Sequence, residues 1–383
     1  MKVSKIGLVT LFKNNYGSAL QGYAIKTVIE NLGYNCELLF ELQNNENDFR
    51  KKIYKSFKLI YNSIVFSGYL RSFLSMREAM KVEQNYLSST SLKYIDQFIM
   101  EFLCPQGYTW EELCRIGLDS EYEAFIVGSD QVWNASRTVK PFYFLRFSPK
   151  NKRHTYAVSF GVSDVPKWNL RDLKKGMEGF NCISVRENKG KDIVRLCTSV
   201  DIIKNIDPTM LLSDKEWRNF YKESKIQYKQ FILFYFLNAP SELAINAINF
   251  LSEKSGLNVL GFAYYYEEYK KINKIKLIDG GPKEYIALID KASYVFTDSF
   301  HTTIFSINLH SNFYVFHRQY LHGFPQTNRI VDLLDRFGLS NRLISDLKNI
   351  EIDCSFEKEH DEIIKEERSI ALNYIEKELK KKD

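Results

Sequence analysis

Four short segments of this chain gather charged, hydrogen-bonding and aromatic side chains directly after apolar runs. The first, Lys13-Asn14-Asn15-Tyr16-Gly17-Ser18, precedes a helical pattern that carries Gln21. Gly17 permits close backbone approach, and Asn15 or Ser18 can cap the helix, whose free amides and positive end suit an anion or a sugar hydroxyl. Its spacing is not GxGxxG, so it does not point to a dinucleotide. The second, Gly128-Ser129-Asp130-Gln131-Val132-Trp133-Asn134, has the composition of a polyol grip, with Trp133 as a stacking surface and Asp130 as a base. The third, Ser184-Val185-Arg186-Glu187, sets a guanidinium at a strand end, where its planar fork matches a carboxylate or phosphate. The fourth, Thr297-Asp298-Ser299-Phe300-His301-Thr302-Thr303, turns abruptly from strand to helix. His301 then stands in the first helical turn, suited to donating a proton when an anionic substrate arrives. Taken singly, each segment also fits a structural role: a capped turn, a core tryptophan, an internal Arg186–Glu187 ion pair.

Such residues act together only if the strands before them end at one edge, because ligands of open parallel sheets bind beyond the carboxyl ends of the strands. The apolar runs predict that arrangement. Strands are expected at Ile6–Leu11, Cys36–Phe40, Ala124–Gly128, Thr155–Phe160 and Cys182–Val185, with a helix over Ser18–Leu32 stopped by Gly33. A second series runs through Phe231–Leu237, Asn258–Phe262, Tyr294–Thr297 and Phe313–Phe316, with helices at 241–254, 283–291, 301–309 and 328–337. Ser213 and Glu216 form a capping box. The expected architecture is α/β, with two facing Rossmann-like domains at 1–226 and 227–355 and a helical tail at 356–383. A helical insertion is expected within the first domain at about 45–120, including segments at 50–64, 69–82 and 92–103.

Composition narrows the class. With 383 residues and 45% hydrophobic side chains, the chain can bury two cores without covalent staples. No apolar run approaches the roughly 20 residues of a membrane span, and no signal-like segment opens the chain, so a cytoplasmic protein is expected. Six scattered cysteines lack metal-ligand spacing and read as buried thiols, and no His/Cys/Asp/Glu cluster suggests a metal. A net charge of +6 is modest and does not indicate a nucleic-acid partner.

In this order, Asn15-Tyr16-Gly17-Ser18-Ala19-Leu20-Gln21, the Gly128–Asn134, Ser184–Glu187 and Thr297–Thr303 segments, and Asp207-Pro208-Thr209 resemble the bacterial polysaccharide pyruvyl transferase family. The resemblance spans about residues 4 to 342 and includes Asn328-Arg329-Ile330. It implies a GT-B-like fold, phosphoenolpyruvate as co-substrate with no other cofactor, and a sugar diol that becomes a pyruvate ketal in capsule, exopolysaccharide or cell-wall glycan. Arg186 and His301 match the donor-binding positions, with Ser299, Phe300, Thr302 and Thr303 beside them. Asn15, Tyr16, Gly17, Ser18, Gln21, Ser129, Gln131, Trp133 and Asn134 fall on the acceptor side. His301 is the expected acid, and either Asp130 or Asp298 the base. Some members carry an arginine where this chain has Ser299, which turns attention to Arg318 and Arg329 as further cations, with His317 and His322 at the rim. Acceptors in the family are often lipid-linked at the inner membrane face, and the basic stretch from Arg50 to Lys58 suits anionic lipid. Two other readings stay open: a GT-B glycosyltransferase that uses a nucleotide sugar, and a noncatalytic glycan-binding or assembly protein.

Overall fold

Apolar runs rich in β-branched and aromatic residues form two parallel sheets in the computed structural model. The structure describes residues 4–42, 86–134, 139–162, 164–319, 328–351 and 359–380, together with 57, 59–66, 68–71 and 74. Strands β1 (Lys5–Val9), β2 (Asn35–Glu41), β3 (Gln106–Tyr108), β4 (Tyr122–Val127) and β5 (Arg153–Thr155) pair in the order β3-β2-β1-β4-β5. A short pair, β6 (Cys182–Val185) and β7 (Asp201–Lys204), joins that sheet through a parallel bridge between Val158 and Val185. Strands β8 (Phe231–Tyr235), β9 (Asn258–Phe262), β10 (Ile275–Ile278), β11 (Tyr294–Thr297) and β12 (Phe313–Val315) pair as β10-β9-β8-β11-β12. The two sheets therefore share one doubly wound order, with the chain reversing direction between β1 and β4 and again between β8 and β11.

Outside the helical residues between 57 and 74, the described helices are α1 (Tyr16–Asn31), α2 (Ser89–Phe98), α3 (Trp110–Leu118), α4 (Lys167–Met177), α5 (Asn188–Cys197) and α6 (Asp214–Tyr221), then α7 (Glu242–Ser255), α8 (Pro282–Lys291), α9 (Phe300–Leu309), α10 (Asn328–Arg336) and α11 (Glu359–Lys380). None of the described helices is long and apolar enough to cross a membrane. Helix α1 begins two residues before the expected start because Asn15, not Ser18, caps it, accepting from the Ser18 amide at 3.3 Å. Helix α6 has the expected box, with Ser213 and Glu216 each satisfying the other's amide.

Sequence patterns failed where strands are short and wet. The strands β3, β7 and β10 have exposed or half-buried residues throughout, so no continuous apolar run marks them. The expected strand over Thr155–Phe160 stops at Thr155, since Ala157 turns into the left-handed region with φ 45°. The helix expected to reach Leu103 ends at Phe98 and passes into a π turn. Most of the expected 50–58 and 72–82 helical stretches lies outside the described residues. The expectation of buried thiols is also corrected: among the described residues only Cys36 is buried, Cys104 is exposed, and Cys114, Cys182 and Cys197 are half-buried. Cys354 lies outside the described residues.

One apolar core behind the first sheet centres on Trp133, Phe144 and Phe160, while a larger one runs without a break from that domain into the second. Tyr16 joins them: its ring stacks on Tyr285 at 5.0 Å and its hydroxyl donates to the Gly280 carbonyl at 2.6 Å. Helix α11 ties the domains from behind. Glu367 pairs with Arg336, Arg368 donates to the Asn308 side chain at 2.9 Å, and Tyr374 donates to the Thr155 carbonyl at 3.0 Å.

Candidate active site

The loops leaving β1, β4, β8 and β11 meet across a cleft of about 840 Å³ between the domains. Doubly wound sheets open a crevice where the chain reverses direction, and here two such crevices face each other. Of the residues singled out in the sequence, Asn15, Ser18, Asp130, Gln131, Phe300 and His301 line this cleft. Lys13, Lys140, Arg318 and Arg329 add positive charge to its walls.

His301 belongs to the second domain but sits among residues of the first. It occupies the opening turn of α9, which Ser299 caps by accepting from the Thr302 amide at 3.3 Å. An arginine at that position would supply no such acceptor, so Ser299 exchanges a cation for a cap. The imidazole Nε2 lies 3.7 Å from Asp207 Oδ2, and a Cβ on Gly17 would stand 2.2 Å from Nδ1. The glycine that promised close approach thus admits the histidine ring itself. In Gly17→Ala the gain in helix propensity, about 1 kcal/mol, is outweighed by overpacking of about 1–3 kcal/mol. The displaced ring should lower turnover by about 10²-fold, which steady-state kinetics of the purified variant would read.

Asp207 is the hub behind His301. It is 2% exposed, accepts from Arg186 at 2.5 Å, and accepts from the Thr209 amide and hydroxyl at 3.0 and 2.8 Å. Burial pushes its carboxyl up, but His301, Arg186 and the Thr209 amide outweigh burial and hold it well below the usual carboxylate range. Asp130, in the left-handed region at φ 52°, accepts from the Ser18 hydroxyl at 2.5 Å and from the Gln131 amide at 2.8 Å. For it too burial acts upward, and the charges of His301, Arg186 and Arg329 with the Ser18 bond win, keeping it ionised. Two carboxyls depressed in the folded state stabilise above their unfolded value of about 3.9 and lose that contribution as pH falls through their folded values. Urea midpoints should accordingly fall below about pH 4, and Asp207→Asn should flatten that acid limb.

Arg186 stands behind the main cleft rather than on it, lining an adjoining space of about 20 Å³ shared with Phe300 and Arg329. Its guanidinium lies 4.2 Å from the Phe300 ring and 3.6 Å from Glu187 Oε2, while Nε and Nη2 make no hydrogen bond. Glu187 in turn accepts from the Ser159 hydroxyl at 2.7 Å and the Phe160 amide at 3.0 Å, fixing the turn that follows β5. Asp298 is 1% exposed and accepts from the Leu237 amide at 2.7 Å and the Asn238 amide at 3.2 Å, with Arg318 3.4 Å away. Burial raises its carboxyl despite Arg318 and those amides. It holds the β8 loop and does not face the cleft.

Several other expected contacts point inward. Trp133 offers no stacking face: it is 2% exposed, stacked on Phe144 at 4.7 Å, and donates to the Tyr143 carbonyl at 2.7 Å. Gln21 clamps the β1 loop by donating to Thr10 Oγ1 at 2.8 Å and the Leu11 carbonyl at 2.7 Å. Ser129 donates to the Ala157 carbonyl, Asn134 to Gln131 Oε1, and Tyr16 across the domains, and none of these three donors lines the cleft. Thr302 pairs with the Tyr285 hydroxyl at 2.8 Å and Thr303 donates to the Ser299 carbonyl at 2.9 Å, so both are framework. His322 lies outside the described residues. Asp207 was legible only as part of a motif, because nothing local distinguishes it from any cap before Pro208.

A sequence profile described as polysaccharide pyruvyl transferase matches residues 15–319, which include Ser18, Asp130, Arg186, Asp207 and His301. The chain belongs to that family. Among solved structures, this transferase is similar to a UDP-GlcNAc 2-epimerase from Neisseria meningitidis, at 11% identity and TM-score 0.52, covering 99% of this chain and 100% of that one. It is also similar to a UDP-GlcNAc 2-epimerase from Methanocaldococcus jannaschii, at 11% identity and TM-score 0.49, covering 93% and 94%. No curated protein matches by sequence. The first of these likenesses, with the two facing doubly wound sheets, makes this chain's fold GT-B-like, and at such identity it concerns architecture alone.

Proposed function

We propose that this transferase moves pyruvate from phosphoenolpyruvate onto two hydroxyls of a sugar, forming a ketal in a surface polysaccharide. The observation that carries the reading is His301, delivered by one domain between Gly17 and Asp207 of the other, on a cleft that also holds Asp130. Asp207 holds the charged imidazole, which gives its proton to the methylene carbon of the donor and leaves an oxocarbenium-like carbon. A sugar hydroxyl attacks that carbon. Bonding makes the hydroxyl proton strongly acidic, so even a carboxylate depressed like Asp130 takes it, and the arrangement favours Asp130 over the buried Asp298 as base. Phosphate then leaves and the second hydroxyl closes the ketal. Of the two hydroxyl protons, one replaces the proton His301 gave to the methyl carbon and one departs with phosphate.

Arg318, Arg329 and the start of α9 supply the charge that Ser299 does not, and Arg186 keeps two nitrogens free of hydrogen bonds, Nε and Nη2, beside Phe300 for the donor anion. Purified protein, labelled phosphoenolpyruvate and candidate lipid-linked glycans should yield phosphate and a product bearing the ketal mass gain. Release of a nucleoside diphosphate from a nucleotide sugar, or glycan binding with no donor turned over, would replace this reading.

A further inference from the structure

Residues 57 and 59–65 are helical, and the helix is inside out. Phe57, Ile60, Tyr61, Ile64 and Val65 recur at the spacing of one helical stripe, yet they are 68, 56, 62, 79 and 50% exposed, while Asn62 is 4% exposed. A surface helix of a globular protein turns such a stripe to the core. The reversal is held in place by Phe66 and Tyr69, whose rings pack on Trp168 of α4 at 6.3 and 5.1 Å. Leu70 and Leu74, also about half exposed, add to the apolar surface beyond it. A contiguous apolar patch of this kind marks an interaction site.

Charge selects the partner. Between Arg50 and Arg77 the sequence has seven lysines and arginines and no aspartate or glutamate, more positive charge than the +6 of the whole chain. The rest of the protein is close to neutral, and in the sequence these charges flank the segment that carries the outward stripe. Two copies docking through this face would oppose like charges. An anionic bilayer satisfies both features, since it takes up apolar side chains at the acyl boundary and attracts lysine and arginine at its surface. We infer that the stripe formed by Phe57, Ile60, Tyr61, Ile64 and Val65 docks the protein on an anionic lipid surface. Helix α4 packs on the 141–144 turn, which brings Phe142 and Tyr143 to the cleft, so the docked face is joined by direct packing to one cleft wall. That the membrane presents an acceptor there rests on the proposed function; the docking does not.

The test is co-sedimentation of the full chain with phosphatidylcholine vesicles, with and without phosphatidylglycerol, in the absence of donor and acceptor. The protein should pellet with the anionic vesicles only, less so at high salt, and Ile60→Asp/Ile64→Asp should weaken binding by more than about tenfold. Both positions are more than half exposed, so the variant should keep the parent's melting transition. A parent that stays in the supernatant, or a double variant that binds as the parent does, overturns the inference. So does a dimer in sedimentation velocity that the double variant dissolves while neither form binds vesicles.

Discussion

His301→Ala should release phosphate from phosphoenolpyruvate about 10²–10⁴-fold more slowly than the parent with acceptor present. The imidazole is the one titrating side chain that α9 carries to the cleft in contact with the first domain, and Asp207 behind it cannot reach past it to replace the proton. The loss should fall mainly on kcat, because the arginines and helix amides that hold the donor are untouched. His301 is 8% exposed, so truncation also removes some packing, and the variant's melting transition should be compared with the parent's before its kinetics are read. Near-normal phosphate release would end the assignment of His301 as the acid. A drop confined to KM would instead make it a binding group.

Arg186→Met should destabilise the fold by about 3–5 kcal/mol, the cost of stranding buried charge when one partner of an ion pair is removed. The stranded groups are Asp207 and Glu187, whose side chains are 1 and 6% exposed. Methionine fills the space but donates nothing. Asp207→Asn added to Arg186→Met should cost less than Asp207→Asn alone, since the carboxylate is already without its strongest partner. Urea denaturation of the parent, the two single variants and the double variant closes that cycle. Additive losses would mean that Arg186 and Asp207 are not one unit and that the histidine is held in another way.

Local order was legible because it is encoded locally. Continuous apolar runs such as Phe231–Leu237 mark strands covered on both faces, helical spacing marks α1 and α9, and a small polar residue before each marks a cap. The segments that could do chemistry were visible for the same reason, as they follow such strands directly. Short edge strands were missed because half-wet residues leave no pattern.

What no local pattern carries is direction and partner. Trp133 and Asp130 stand three residues apart in one loop, yet one closes a core and the other opens onto the cleft, a choice made by Phe144 and Ser18 from elsewhere in the chain. Ser18 and Asp130 meet although 112 residues separate them. The stripe at 57–65 reads as a core face and lies outward because Trp168 holds its reverse side. By itself the sequence determined two βα series, their caps and the loops at their carboxyl ends, since these depend on backbone hydrogen bonding and burial within a few residues. Only the tertiary structure decided that His301 of one domain enters the space left by Gly17 of the other, with Asp207 at its back. Packing two separately wound sheets face to face is what sets those distances, and no single segment contains that information.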